Sequence, residues 1–216
     1  MSGGTFARGT TVTFSSGVLS LLIGVGTSVI LARVLGPEGR GIYALAALLP
    51  SLIVTFGNLG IGPATVYYVA RGEFRRQGIL GNNVFLSLGI GALGVLAGLV
   101  VIAFFRQRIF PGVDLGYLLL ALALVPAEVF FSYTSYVFLG AQRIKEFNYV
   151  QIAQSTLFLG LITIALLGLK AGVTGALVAG LLSWLTVDAL VFRWAKGIAG
   201  GIDLTPDASY MRQAAT

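Results

Sequence analysis

The residues in this chain that could do chemistry are few, and Glu128 is the most unusual of them. It interrupts an otherwise uncharged stretch over 115–142 and lies 11 residues beyond Tyr117. On a helix that distance is about 16 Å, close to the middle of a bilayer if the stretch crosses one. An acidic side chain at that depth costs on the order of 2.5–3.5 kcal/mol, so Glu128 is a functional candidate.

Two amide side chains are candidates to share a site with Glu128. Asn148 and Gln151, followed by Ser155, recur at i, i+3 and i+7, which places them on one face of a helix. No Lys or Arg lies deep in an apolar stretch where it would neutralise the acid. We therefore predict a proton or sodium coupling site formed by Glu128, Asn148 and Gln151. The alternative is a neutral carboxylic acid that is hydrogen-bonded inside a helix bundle.

A second acid, Asp188, also interrupts an apolar stretch. It lies close to the end of that stretch, where Arg193 and Lys196 follow. Long basic side chains at the edge of a bilayer commonly neutralise such an acid. An interfacial ion pair is therefore expected here.

The sequence contains neither cysteine nor histidine. Their absence removes thiol nucleophiles, disulfides, thiolate metal sites and the commonest general base. We find no nucleophile and base pair, metal-ligand cluster or phosphate-binding loop in the sequence. We therefore expect no enzyme, no catalytic residues, no bound metal, and no cofactor other than a coupling proton or sodium ion.

Composition identifies the elements that must position these residues. Of the 216 residues 56% are apolar and only 10% are charged, and the mean hydropathy is +0.92. A soluble domain has about 25% charged residues, so a soluble enzyme, a disordered chain and a DNA-binding module are excluded. The net charge of +6 comes from basic residues between apolar runs. We therefore expect the lipid bilayer, and no nucleic acid, as the partner of these charges.

The apolar runs predict an all-α, polytopic bundle of six transmembrane helices over residues 1–196. Each run is long enough for the roughly 20 residues that a helical span needs. Residues 197–216 form a polar tail or a linker. The six spans are predicted near 12–34, 42–69, 82–105, 117–139, 147–169 and 173–194.

The second predicted span has an internal interruption. Pro63 cannot donate a hydrogen bond to the carbonyl four residues earlier, and the glycines of the segment 57–62 weaken the helix there. We expect a break near Gly60, with a short helix over 64–70. The alternative is a helix end followed by an interfacial segment.

Basic residues predict the orientation of the bundle. With the N-terminus inside, nine of the 14 Lys and Arg residues lie on the cytoplasmic side and five lie outside. The positive-inside rule then favours a multi-pass protein of the cytoplasmic (plasma) membrane with both termini in the cytoplasm.

Three segments of the sequence resemble polysaccharide-biosynthesis and O-antigen flippases of the multidrug/oligosaccharidyl-lipid/polysaccharide (MOP) superfamily. They are 27–45 (TSVILARVLGPEGRGIYAL), 57–71 (GNLGIGPATVYYVAR) and 140–149 (GAQRIKEFNY). The first two are fairly specific, and the third is supportive. The order of the spans matches that family over the whole chain.

The resemblance implies a carrier of two six-helix lobes that moves lipid-diphosphate-linked saccharides across the membrane by alternating access. Arg33 and Arg40 would contact the diphosphate near the outer mouth, and Asn58 would lie near the cytoplasmic end of the second helix. Family members usually have twelve or more spans, twice the number predicted here. The resemblance therefore implies a second six-helix lobe in a longer chain, or a homodimer.

Two other interpretations of the sequence stay open. The first is a multidrug or cation exporter of the same superfamily. The second is a non-transporting membrane scaffold or a truncated half-transporter. The loop sequence over 33–44 favours the polysaccharide branch.

Overall fold

A computed structural model of the chain describes residues 3–58, 60–72 and 74–204, with side chains from residue 13 onward. Within those residues the fold is helical, as the composition predicts. The polar tail predicted from residue 197 lies outside the described residues beyond residue 204. The elements are α1 (Gly3–Gly57), α2 (Ile61–Arg71), α3 (Arg76–Ile109), α4 (Leu115–Leu122), α5 (Leu124–Gly140), α6 (Ile144–Thr163), a π-helical turn (Ile164–Gly168) and α7 (Gly172–Ala199).

The long helix α1 is a hairpin of two arms, residues 3–35 and 37–57, joined at Gly36. Gly36 has φ 68° and ψ −178°, a conformation that breaks the helix and that glycine adopts without a Cβ clash. Pro37 then starts the second arm, a position where its fixed φ suits a helix and its missing N–H costs nothing. Five helices in the described part of the chain are long and apolar enough to span a membrane, and the bend divides the first of them into two crossings. The prediction of six transmembrane helices is thereby confirmed.

The predicted interruption in the second span is present between α1 and α2. Gly60 has φ 75° and the Ile61 amide donates to the Asn58 carbonyl at 3.0 Å. Gly62 lies directly against the Tyr136 ring. A Cβ added at this position would lie only 2.5 Å from Cε2 of that ring, so only glycine fits here. The close approach packs α2 onto α5, and α2 begins three residues before the predicted start.

Helices cover the remaining four predicted spans, apart from Ala123 in the fourth and Leu169 at the end of the fifth. The fourth is divided into α4 and α5 by a distortion at Ala123, three residues before Pro126, which cannot donate to the Leu122 carbonyl. The fifth continues from α6 into the π-helical turn. The third and sixth, α3 and α7, extend several residues beyond the apolar runs.

The helix α7 lies at the centre of the lobe and packs against α1, α3, α4, α5 and α6. Small residues on α3 permit a similarly close approach to its neighbours. A Cβ on Gly94 would lie 2.6 Å from Cγ2 of Ile53 and 3.1 Å from Cγ1 of Val125. Backbones approach closely at such positions, which is how helices associate in lipid.

Residues 200–203, which follow α7, are hydrogen-bonded to the start of α3. The Gln77 side chain donates to the Gly200 carbonyl at 2.8 Å, and the Asp203 amide donates to the Gln77 carbonyl at 3.1 Å. This end of the lobe, which we call the Gln77 face, is predicted to be cytoplasmic. The opposite end, which contains the bend of α1, is called the Gly36 face.

Candidate functional site

A cavity of about 290 Å³ lies between the two arms of α1 and α6. Arg40 lines it and donates from Nη2 to the Ser28 hydroxyl at 2.9 Å. Thr27 also lines it and donates to its own helix backbone at 3.0 Å. Gly24 and Ala44 stand at the rim of the cavity and are exposed at the lobe surface. The cavity is therefore mostly apolar, carries one cation and a few hydroxyl groups, and opens where the side chains are small.

A second cavity of about 200 Å³ lies deeper, between the second arm of α1 and helices α5, α6 and α7. The half-buried Glu128 lines it, together with the Trp184 indole, which is close enough to hydrogen-bond to the carboxyl. Ala176 and Gly180 form the α7 side of its wall. The second cavity is thus a mostly apolar space with one acid.

The two cavities adjoin each other along a shared wall of Tyr43, Gln154 and Phe158. Tyr43 lies close enough to both Arg40 and Glu128 for the two charges to act on its phenol. A cation and an acid therefore belong to one extended polar site inside the lobe. We call this site, from Arg40 to Glu128, the intralobe site.

The two predicted phosphate-contacting arginines have different surroundings. Arg33 is exposed on the first arm of α1 and does not line either cavity. Arg40 lies within the second arm, four residues after the bend, and faces inward. Arg40 therefore lines a cavity inside the lobe, although it lies near the end of its span rather than deep within it. The sequence placed it in a loop because the helix was predicted to begin at residue 42.

Asn58 lies at the break between α1 and α2, outside the intralobe site. Its Oδ1 is buried and has no hydrogen-bond partner among the described residues. The Tyr133 hydroxyl donates to the neighbouring Gly57 carbonyl, and the Asn83 amide donates to the Tyr133 carbonyl at 3.0 Å. The break is thus stabilised by polar contacts from α3 and α5.

The predicted amide partners of Glu128 lie on α6 nearer to the Gln77 face. The Asn148 amide donates to the Ile144 carbonyl at 2.8 Å and to the Thr13 hydroxyl at 3.3 Å. The Gln151 carbonyl accepts the Ser155 hydroxyl at 3.1 Å. Neither Asn148 nor Gln151 lines the cavity that contains Glu128.

Three residues of the intralobe site were missed by sequence reasoning: Tyr43, Gln154 and Trp184. Gln154 lies three residues after Gln151, so the helical pattern already contained it as the next polar position on nearly the same face. Tyr43 and Trp184 look like ordinary aromatic residues of a membrane span. Only the fold brings them beside charged groups.

The fold is that of a bundle of membrane-spanning helices with charged groups in its interior cavities. A family model of polysaccharide biosynthesis proteins matches residues 6–204. The chain therefore belongs to the polysaccharide biosynthesis protein family.

A curated relative and a solved structure are similar to the chain. Stage V sporulation protein B of Bacillus subtilis (strain 168) is 30% identical over 97 residues, which are 45% of this chain and 18% of that protein. A MOP superfamily transporter from Pyrococcus furiosus has a TM-score of 0.76 and 18% identity. That match covers 96% of this chain and 49% of the transporter. The chain thus spans about half of the structural relative, and the likeness establishes the shared fold.

Proposed function

We propose that this chain forms one lobe of a flippase that moves lipid-linked oligosaccharides or polysaccharide precursors across the cytoplasmic membrane by alternating access. Membership of the polysaccharide biosynthesis family supports this function. The single observation that carries it is the placement of the Arg40 cation in an open, mostly apolar cavity within the membrane-spanning lobe. No covalent step is required, and the protein acts as a carrier rather than an enzyme.

The proposed substrate contact is between Arg40 and a diphosphate. A guanidinium binds phosphate oxygens in a bidentate manner, and the exposed rim at Gly24 and Ala44 gives a headgroup access to it. Arg33 on the lobe surface is proposed to attract the same diphosphate before it enters. Asn58, with its unpartnered Oδ1, is proposed to bind a saccharide hydroxyl near the cytoplasmic end.

Glu128 is proposed to couple transport to a proton or sodium ion. It is half-buried in a mostly apolar cavity, where binding a cation relieves the cost of its charge. Gln154 lines the same cavity and supplies an amide oxygen. Asn148 and Gln151, farther along α6, are proposed to receive the ion on its way to the Gln77 face.

The complete carrier is proposed to need a second six-helix lobe, in a longer chain or in a homodimer. The structural relative supports this, since its chain is about twice as long. We propose the plasma membrane as its location, with both ends of this lobe in the cytoplasm. The basic residues Arg71, Arg75 and Arg143, near the Gln77 face, agree with that orientation.

The test is a leaflet-translocation assay in proteoliposomes that contain the complete gene product and a lipid-diphosphate oligosaccharide. Arg40→Gln is expected to lower the translocation rate about tenfold or more, because it removes a charge-assisted contact. Arg33→Gln, the matched surface variant, is expected to change it by about threefold or less. Equal effects of the two variants, or no translocation by the folded wild type, would refute the proposal.

Coupling is tested in the same vesicles with imposed proton and sodium gradients. Glu128→Gln keeps the size and polarity of the side chain but cannot exchange a proton or carry a charge. We expect the variant to lose its response to the driving gradient and to retain binding of the lipid-linked saccharide. An unchanged response to both gradients would exclude Glu128 as the coupling residue.

A multidrug or cation exporter is the second candidate, and one observation favours it. The Glu128 carboxyl shares its cavity with the aromatic rings of Tyr43, Phe158 and Trp184. An acid among aromatic faces suits an organic cation. Efflux of a quaternary ammonium dye from the vesicles, blocked by Glu128→Gln and unaffected by Arg40→Gln, would support this candidate over the flippase.

A further inference from the structure

The second membrane acid, Asp188, has an environment that differs from the expected ion pair at the membrane surface. Its residue is 8% exposed, on the inner side of α7, and Oδ1 has no hydrogen-bond partner among the described residues. Arg193 and Lys196 are both exposed, and neither is bonded to it in the described structure. The expected ion pair is therefore absent from this part of the chain.

Aromatic rings of α5 pack on α7 one turn before and one turn after Asp188. Phe131 packs on Trp184 with ring centroids 5.1 Å apart, and Phe130 packs on Phe192 at 6.2 Å. Asp188 is four residues from each of these two α7 aromatics and on nearly the same face. Asp188 is therefore buried and flanked along α7 by apolar residues that pack on α5.

One further polar group in the same interface also lacks a partner. Thr134 is 0% exposed, and its hydroxyl has no hydrogen bond in the described structure. It lies between Phe131 and Phe138, which belong to the apolar cluster that contains Val187 and Val191 of α7. Two buried oxygens on facing helices are thus left without partners.

We propose that the Asp188 carboxyl is a second proton-binding site of the lobe, one turn of α7 beyond the Trp184 that lies beside Glu128. A bare carboxylate in this apolar interface would be costly, whereas the protonated acid is neutral. A hard cation would need several oxygen ligands, and the Thr134 hydroxyl among apolar side chains is too few for one. The proton is therefore the ligand that this site fits.

The charged and titratable groups of the neighbouring helices are directed elsewhere. On α5, Tyr133 bonds to the Gly57 carbonyl and Tyr136 contacts Gly62 and Phe147. Arg76 and Arg108 on α3 and Lys145 on α6 are exposed, Arg143 pairs with Glu146, and Tyr149 packs on Trp194. Arg106 on α3 bonds to the Val113 carbonyl, and Arg40 on α1 bonds to Ser28. Tyr43 and Glu128 line the cavity that Trp184 also lines. Asp188 therefore exchanges its proton without a fixed counter-charge.

Trp184 connects the two acids. The indole lines the cavity of Glu128 and also packs on Phe131 beside Asp188. A movement of α7 against α5 that exposes one acid therefore displaces the indole that covers the other. Asp188 lies toward the Gln77 face, so it takes up or releases the proton on the side that is predicted to be cytoplasmic. The role of Asp188 in proton uptake and release rests on the proposed transport function, whereas the protonation of its carboxyl does not depend on that function.

Infrared difference spectroscopy of the purified, complete protein tests the protonation. At neutral pH, Asp188→Asn is expected to remove a protonated-carboxyl C=O band from the wild-type spectrum. The matched variant Glu146→Gln, at an exposed ion pair, is expected to remove carboxylate bands instead. Loss of carboxylate bands in Asp188→Asn would overturn the proposal. A midpoint of unfolding within a few degrees of the wild type is expected, because the amide imitates the neutral acid.

Transport then tests the role of the site. In proton-driven translocation, Asp188→Asn is expected to lower the rate about a hundredfold, and exchange without a gradient should persist. Full proton-driven activity in this variant would overturn the role, whatever its infrared spectrum. If the wild type does not translocate at all, the proposed flippase function fails, and the infrared result still decides whether Asp188 holds a proton.

Discussion

The Arg40 guanidinium donates a hydrogen bond to the Ser28 hydroxyl across 2.9 Å, although the two residues are 12 positions apart in α1. In a straight helix the same separation would be about 18 Å. The bend at Gly36 therefore brings the cation back onto the first arm. Since a guanidinium carries five N–H donors, this bond orients Arg40 and leaves donors for an anion.

Ser28→Ala removes the group that orients Arg40. We expect the KM for the lipid-linked substrate to rise about threefold to tenfold, because a hydrogen bond to a charged group is lost at a partly exposed site. Maximal rate should change less than KM. The control is Ser51→Ala, whose hydroxyl bonds within its own helix to the Leu48 carbonyl. A similar loss in both variants would contradict a specific role of Ser28.

Gly36→Ala places a Cβ at a positive φ in the bend of α1. The backbone at φ 68° and ψ −178° lies in a region essentially restricted to glycine, so the free energy of unfolding should fall by about 1–3 kcal/mol. Gly17→Ala, in the first arm with open space around it, is the control. It is expected to be neutral or to stabilise by up to about 1 kcal/mol. Unfolding in mixed detergent micelles measures both, and equal stability of the two variants would exclude strain at Gly36.

Gly94→Ala tests the close approach of α3 to its neighbours. The new Cβ would meet Ile53 Cγ2 at 2.6 Å and Val125 Cγ1 at 3.1 Å, and β-branched side chains cannot rotate away easily. We expect a loss of about 1–3 kcal/mol in the free energy of unfolding. Gly89→Ala has no atom within 4 Å and serves as the control on the same helix. A tolerated Gly94→Ala would mean that the helices are farther apart than described.

Gly81→Ala is expected to release the residues that follow α7 from the start of α3. A Cβ at this position would lie 1.7 Å from the Asp203 carbonyl oxygen, so the backbone itself has to move. Limited proteolysis and hydrogen exchange over 200–204 should both increase. Gly78→Ala, with open space around it, should leave the segment protected. Unchanged protection in Gly81→Ala would argue against this docking.

Much of the fold was predictable because the hydrocarbon core of a bilayer offers no hydrogen-bond partners to the backbone of a span. Uncharged runs longer than about 20 residues must be helices that bond all their backbone groups internally. Pro63 and Gly60 likewise marked the break before α2, because both act on the backbone at their own position. The helix boundaries were predicted less accurately. The second span starts at residue 37 rather than 42, because the chain turns at Gly36 alone and needs no longer loop.

The candidate site was only partly predictable. Glu128 was found because a charge in an apolar run is visible without knowing its neighbours. The residues around Glu128 were not predicted, since Gln154 and Trp184 differ little from other polar or aromatic residues in the sequence. Arg40 entered a cavity and Arg33 did not, because their directions depend on where the helix bends.

The sequence by itself determined the membrane environment, the six crossings and the family, since these depend on composition, run length and local motifs. The tertiary structure decided which charges share a space. Arg40 and Glu128 both lie near Tyr43, and Asp188 is buried whereas Arg193 is exposed. The reason is physical: the cost of a buried charge depends on the atoms around it, and those atoms come from helices that are distant in the sequence.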